Sequence, residues 1–186
     1  MMSLFKKSLI VFSFLIVTFA SQANTDLASL KARYFDAARE GNQAMLEAFY
    51  DAGLDANVAD EKGYTALILA AYHGHTDTVD YLINTAKANP CQEDNRGNTD
   101  LMGAIFKGHV SVAKQLVFAD CNIDEENEQG QTALMFASLF DRQEIINTLI
   151  DKGADTHHKD KAGNTVADIA LSQGNYALAK ALKDGE

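Results

Sequence analysis

The chain has 186 residues and a mass of 20.2 kDa, room for one domain with at most an appendage. Apolar residues make up 47% and charged residues 23%, so a globular core is affordable and wholesale disorder is excluded. The net charge of −10 and pI of about 4.8 argue against a nucleic-acid binder, which needs a basic face for phosphates, and against docking on anionic membranes.

The first segment reads as an address. Lys6 and Lys7 form a basic start, and Ser8 to Ala20 is an uncharged, mostly apolar run. Ser21-Gln22-Ala23 then places small residues where a signal peptidase cuts. A spanning helix wants roughly 20 apolar residues, more than this run supplies. The expectation is a cleaved signal peptide over 1–23, a periplasmic destination and no membrane attachment after cleavage.

The rest is periodic. Gly-x-Thr recurs at Gly63-Tyr64-Thr65, Gly97-Asn98-Thr99, Gly130-Gln131-Thr132 and Gly163-Asn164-Thr165, spaced 34, 33 and 33 residues apart. A second glycine series runs through Gly41, Gly74, Gly108 and Gly174, with Asp141 in the missing slot. Eight residues after each member stands an apolar residue: Phe49, Leu82, Leu116, Leu149 and Leu182. Two ladders sharing one period mean stacked units that cannot bury their faces alone. Each threonine sits where a helix needs an N-cap oxygen, and each member of the second series where a helix must stop and reverse. Each unit therefore reads as turn, short helix, turn, longer helix. At the start, Leu27, Leu30, Tyr34, Ala37 and Ala38 have helical spacing and would cover the first stacking face. Lys180 and Lys183 keep the last outer face polar.

Asp60-Glu61-Lys62-Gly63-Tyr64-Thr65-Ala66-Leu67, followed by Ala70-Ala71-Tyr72-His73-Gly74-His75, closely resembles the ankyrin repeat family, as does Leu149-Ile150-Asp151-Lys152-Gly153-Ala154-Asp155. The resemblance runs from about Tyr34 to Lys183 and implies an all-α solenoid of stacked helix-turn-helix units with finger loops. The expected organisation is an N-terminal capping helix and partial repeat over 24–59, repeats over 60–93, 94–126 and 127–159, and a C-terminal capping repeat over 160–186. The family's proline after threonine is here Ala66, Asp100, Ala133 and Val166. Its histidine two residues further on is Ile68, Met102, Met135 and Asp168.

Stacking places the finger carrying Cys91 beside the one carrying Cys121. In an oxidising compartment this points to a Cys91–Cys121 disulfide, with two free thiols or a redox-active pair as the alternatives. The three-residue offset between the cysteines within the repeat is the difficulty. His75 and His109 fall in the family's Gly-His slot and read as structural. His157 and His158 read as solvated loop residues, because no spaced ligand set completes a metal site around them. No Gly-x-Ser-x-Gly elbow, phosphate-binding glycine loop or His-Glu-x-x-His occurs, so the expectation is no enzyme, no metal and no cofactor.

The resemblance also implies where contacts lie: at the finger tips and at the two residues before each helix-ending turn. Carried over, it nominates Tyr64, Tyr72, His73, Asn98, Phe106, Lys107, Gln131, Leu139 and Phe140 as a protein-binding stripe on the concave face. The competing reading tucks some of these side chains into the core between repeats. The expected function is a protein–protein interaction module, with acidic fingers steering a basic-surfaced partner. Similar periplasmic proteins of the family are associated with catalase and oxidative-stress defence. The alternative is a periplasmic stress chaperone that holds unfolded exported proteins.

Overall fold

The computed structural model describes residues 27–184, so the expected signal peptide lies outside the described residues. The helices are α1 (residues 27–40), α2 (Gln43–Asp51), α3 (Ala66–His73), α4 (Thr76–Asn84), α5 (Asp100–Lys107), α6 (Val110–Val117), α7 (Ala133–Leu139), α8 (Gln143–Asp151), α9 (Val166–Ser172) and α10 (Tyr176–Asp184). They form antiparallel pairs. The first helices α3, α5, α7 and α9 stack in one layer, and α4, α6 and α8 stack in a second. The fold is the all-α repeat solenoid expected from the two ladders.

The caps explain why each short helix starts where it does. Thr65, Thr99, Thr132 and Thr165 are extended, and each Oγ1 accepts from the N–H three residues on: Ile68, Met102, Met135 and Asp168. In the last unit Asp168 answers with Oδ2, which accepts from the Thr165 N–H and Oγ1–H, completing a capping box. At the other end the chain reverses through positive φ. Gly74 lies at φ 81°, and a Cβ there would stand 2.6 Å from Nδ1 of His109. Asp141, in the slot without glycine, adopts φ 52°.

The first helix α3 is sandwiched between neighbours and is apolar along most of its length. Ala66 to Ala71 of α3 are all buried. The second helices are amphipathic, burying Val79 and Leu82, then Val112 and Leu116, then Ile145 and Leu149. Burying one such side chain contributes roughly 1.5–3 kcal/mol, and only a stacked neighbour completes the burial.

The second-helix N-caps tie one unit to the one before. His75 Nε2 bonds Arg39 O at 2.7 Å and His109 Nε2 bonds Tyr72 O at 3.1 Å. Arg142 donates to the carbonyls of Ile105 and Phe106. Asn175 donates to Asp141 Oδ1 at 3.0 Å. Fingers are tied too. The N–H groups of Asn95, Glu128 and Lys161 donate to the carbonyls of Lys62, Arg96 and Gln129 in the preceding finger.

The first cap differs from the reading of α1. Tyr34, Ala37 and Ala38 close the stack, with the Tyr34 hydroxyl 3.0 Å from that of Tyr50. Leu27 and Leu30 do not share in it; both stay exposed, because the neighbouring helix α2 is only nine residues long.

Candidate functional site

The fingers are built on repeated Asx turns. Oδ1 of Asp60 accepts from the N–H groups of Lys62 and Tyr64, and Oδ1 of Asp94 from those of Arg96 and Asn98. Asn127 serves Gln129 and Gln131, and Asp160 serves Ala162 and Asn164, in the same way. Partial burial is the largest single effect on the Asp160 carboxyl and raises it, but the Asn164 side chain and the N–H groups of Asn164, Ala162 and Gly163 together outweigh it and hold the carboxyl below the usual carboxylate range. Each finger thus turns one of its acids, or the equivalent amide, inward to hold its own tip.

Between the fingers and the first helices lies a groove of about 550 Å³. Tyr64, Tyr72, His73, Asn98, Phe106 and Gln131 line it. An aromatic strip crosses three units. Tyr72 and Phe106 stack at 6.1 Å between ring centroids, and Phe106 meets Phe140 edge-on at 5.0 Å. Lys107 Nζ stands 5.2 Å over the Tyr72 ring. Phe106 is 43% exposed, a large ring kept in water.

Leu139 is placed differently. It does not line the groove and packs, half buried, against the core. Tyr64 does both, lining the groove and touching the core. Asn98 is occupied within the fingers: its Nδ2 donates to Asp94, and its Oδ1 accepts from Asn127 Nδ2 at 3.0 Å.

The groove also contains residues absent from the nominated stripe. Ile68, Leu69, Met102, Gly103 and Phe136 form its floor. Leu69, Gly103 and Phe136 hold one register in successive first helices, four residues after the capping threonine. That spacing was the available signal. It was obscured because an apolar residue inside a buried helix reads as core.

The groove lining itself is more basic than the acidic fingers around it. Arg39, Lys62 and Arg96 line it, against Asp94 as the one lining carboxylate. His73 lies among these cations. Burial first, then the nearby His75, Arg39, Lys107 and His109, hold its imidazole pKa below the ordinary value.

Cys91 and Cys121 form a disulfide with Cα atoms 5.5 Å apart. Lys87, at φ 59°, takes in this finger the left-handed place that Gly53 and Gly153 hold in theirs. His158 departs from the solvated reading. It is largely covered, its Nε2 lies 3.0 Å from Gly130 O, and Glu126 Oε1 is 3.5 Å away. Among the described residues no group of three or more His, Cys, Asp or Glu is placed to hold a metal ion. No described helix is long and apolar enough to cross a membrane.

Comparison with known proteins agrees with this architecture. The pattern described as ankyrin repeats (3 copies) matches residues 34–127 and again 101–186. SH3 and multiple ankyrin repeat domains protein 2 of Homo sapiens is 27% identical over 80% of this chain and 8% of its own length. An ankyrin repeat protein of Escherichia coli (strain K12), YahD, is 26% identical over 84% of this chain and 96% of its own. An ankyrin repeat-containing protein of Treponema pallidum (strain Nichols) is 32% identical over 67% of this chain and 42% of its own. The chain thus spans less than half of two of these relatives and nearly all of the third. Its helices, caps and fingers agree with the matched pattern from Tyr34 onward, and the chain belongs to the ankyrin repeat family, whose repeats are protein–protein interaction modules.

Proposed function

We propose that this chain is a non-enzymatic adaptor of the periplasm that binds one partner protein through its concave groove. The observation that carries the reading is the aromatic strip Tyr72–Phe106–Phe140, which spans three units and borders the groove. Aromatic anchors ringed by polar side chains are the usual composition of a binding hot spot. The basic start and apolar run before Ser21 support export, and so does the disulfide, a bond that persists in oxidising compartments. A link to oxidative-stress defence belongs to the proposal on family resemblance alone.

Two measurements test it. Residues 1–23 fused to alkaline phosphatase lacking its own leader should give periplasmic activity; an inactive cytoplasmic fusion rejects the location. For the face, mature protein and a Tyr72→Ala, Phe106→Ala, Phe140→Ala variant are each offered a periplasmic extract, after circular dichroism has shown both folded. One stoichiometric band on the native protein, lost from the variant, is expected. Many weak bands would favour a chaperone, and equal bands on both proteins reject the groove.

A further inference from the structure

Resting on that reading of the groove, we infer that it receives an acidic segment of the partner carrying an apolar or aromatic side chain. The chain is strongly acidic, with 26 Asp and Glu against 16 Lys and Arg, yet three of the four charged groove residues are cations.

The exception, Asp94, is already engaged. Its oxygens accept from the N–H groups of Arg96 and Asn98 and from Asn98 Nδ2, at 2.8 to 3.2 Å. It holds the finger tip and offers little to a cationic visitor. Asp60, at the same place one finger earlier, is likewise bonded to Lys62 and Tyr64, and its Oδ2 faces Arg39 at 3.7 Å.

Lys62 and Arg96 are different. They occupy the same position in successive fingers, both are exposed, and neither side chain makes an ion pair with a described residue. Arg39 is partly satisfied by Asp36 and Asp60, so the cations open to a ligand are Lys62 and Arg96, with Lys107 at the Tyr72 ring. Fingers anchored by backbone bonds to each other keep Lys62 and Arg96 at a fixed spacing. A carboxylate arriving there meets two cations and gains a planar fork from Arg96.

The apolar half of the requirement comes from the floor. Gly103 carries no side chain where its neighbours in register carry Leu69 and Phe136. A Cβ placed on it would find only the Tyr72 ring, 3.7 Å away. The result is a notch beside Tyr72, floored by the first helices, within reach of the finger cations.

The test is a random-peptide display library panned on the folded chain. Enriched peptides should combine Asp or Glu with Phe, Tyr, Trp or Leu. Synthesised singly, they should bind less tightly as salt rises, roughly tenfold less tightly to Arg96→Glu, and not measurably to Tyr72→Ala. Lys62→Glu is the second charge variant should Arg96→Glu not fold. Neutral or basic peptides that still depend on Tyr72 would overturn the acidic preference and leave the groove reading standing. Peptides indifferent to Tyr72 and Arg96, or no enrichment at all, would overturn both. A dimer of the chain alone, dispersed by Arg96→Glu in sedimentation, would assign the groove to a second copy and overturn the inference.

Discussion

The disulfide between Cys91 and Cys121 stands where the neighbouring units use a hydrogen bond. The finger turns start at Asp55, Asn89, Asn122 and Asp155, each accepting at Oδ1 from the N–H two residues on. In two of those turns, the residue so held then reaches the next unit. Asn57 Oδ1 accepts from the Asn89 N–H at 2.7 Å, and Asp124 Oδ1 from the Asp155 N–H at 2.9 Å. Cys91 is the equivalent residue of the intervening unit, and Cys121 immediately precedes Asn122. The three-residue offset that made the pairing doubtful is one residue more than the two-residue offset of this inter-unit bond, the extra step being the one from Asn122 back to Cys121.

That equivalence gives a graded prediction. Cys91→Ala with Cys121→Ala removes the cross-link over 30 residues and should lower unfolding stability by about 3–4 kcal/mol on the chain-entropy account. Cys91→Asn with Cys121→Ala should recover about 1 kcal/mol, by allowing the Asn57-type bond to form to Asn122. Urea midpoints of the three proteins measure both differences. Equal midpoints for the two variants would show that the bond does not reform.

The turn glycines allow a controlled comparison. Gly53 and Gly74 both have positive φ, but a Cβ on Gly53 meets nothing within 4 Å, whereas one on Gly74 meets the His109 ring. Gly53→Ala should cost about 1–2 kcal/mol from backbone strain alone. Gly74→Ala should cost roughly 1 kcal/mol more, because the displaced ring gives up its bond to Tyr72 O. Thermal unfolding of both variants checks the order, and equal losses would show that His109 moves aside freely.

What could be read in advance was local. Thr65 and its three counterparts reveal their helix starts because an N-cap oxygen and the N–H it serves lie three residues apart. Gly74 reveals a reversal because few other residues tolerate that φ. The groove floor was not legible on those terms. Leu69 and Phe136 obey the same pattern as core residues, and only the missing side chain of Gly103 between them opens the notch. The basic lining of the groove was hidden for a related reason. Composition counts Asp60 and Asp94 with the acidic surface, whereas each spends an oxygen on its own turn, and Lys62 and Arg96 line the groove while acids such as Glu61 and Glu128 stay exposed elsewhere on the fingers.

Asp100 is the one first-helix opening residue that departs from the apolar Ala66, Ala133 and Val166. It is 2% exposed, its Oδ1 accepts from the Leu101 N–H, and its Oδ2 has no partner. Burial pushes its pKa up to about 8, against the lowering effect of the backbone bonds. The folded state therefore binds this proton more tightly than the unfolded chain. Stability is present in full below the unfolded carboxyl pKa near 4 and is lost as pH rises toward 8. Asp100→Ala, the residue used at this place in two other units, should remove that loss. The variant should be more stable at neutral pH by an amount on the order of 1–4 kcal/mol, growing from pH 4 to 8 and level above. Denaturant titrations across that range check the slope. A pH-independent difference would show that the carboxyl does not titrate in the fold.

Gly103 separates stability from binding. It lies inside α5 without a positive φ, so its missing side chain is a cost to the helix with no compensating turn. Gly103→Ala adds a Cβ in ordinary contact with Tyr72 and should raise stability by about 0.5–1 kcal/mol. Gly103→Phe places over the notch the ring that Phe136 carries one unit later. It should keep the helical circular dichroism signal and lose the partner band and the acidic peptides together. Retained binding by a folded Gly103→Phe protein would show that the ligand rests on Phe106 and the finger cations alone, with the notch empty.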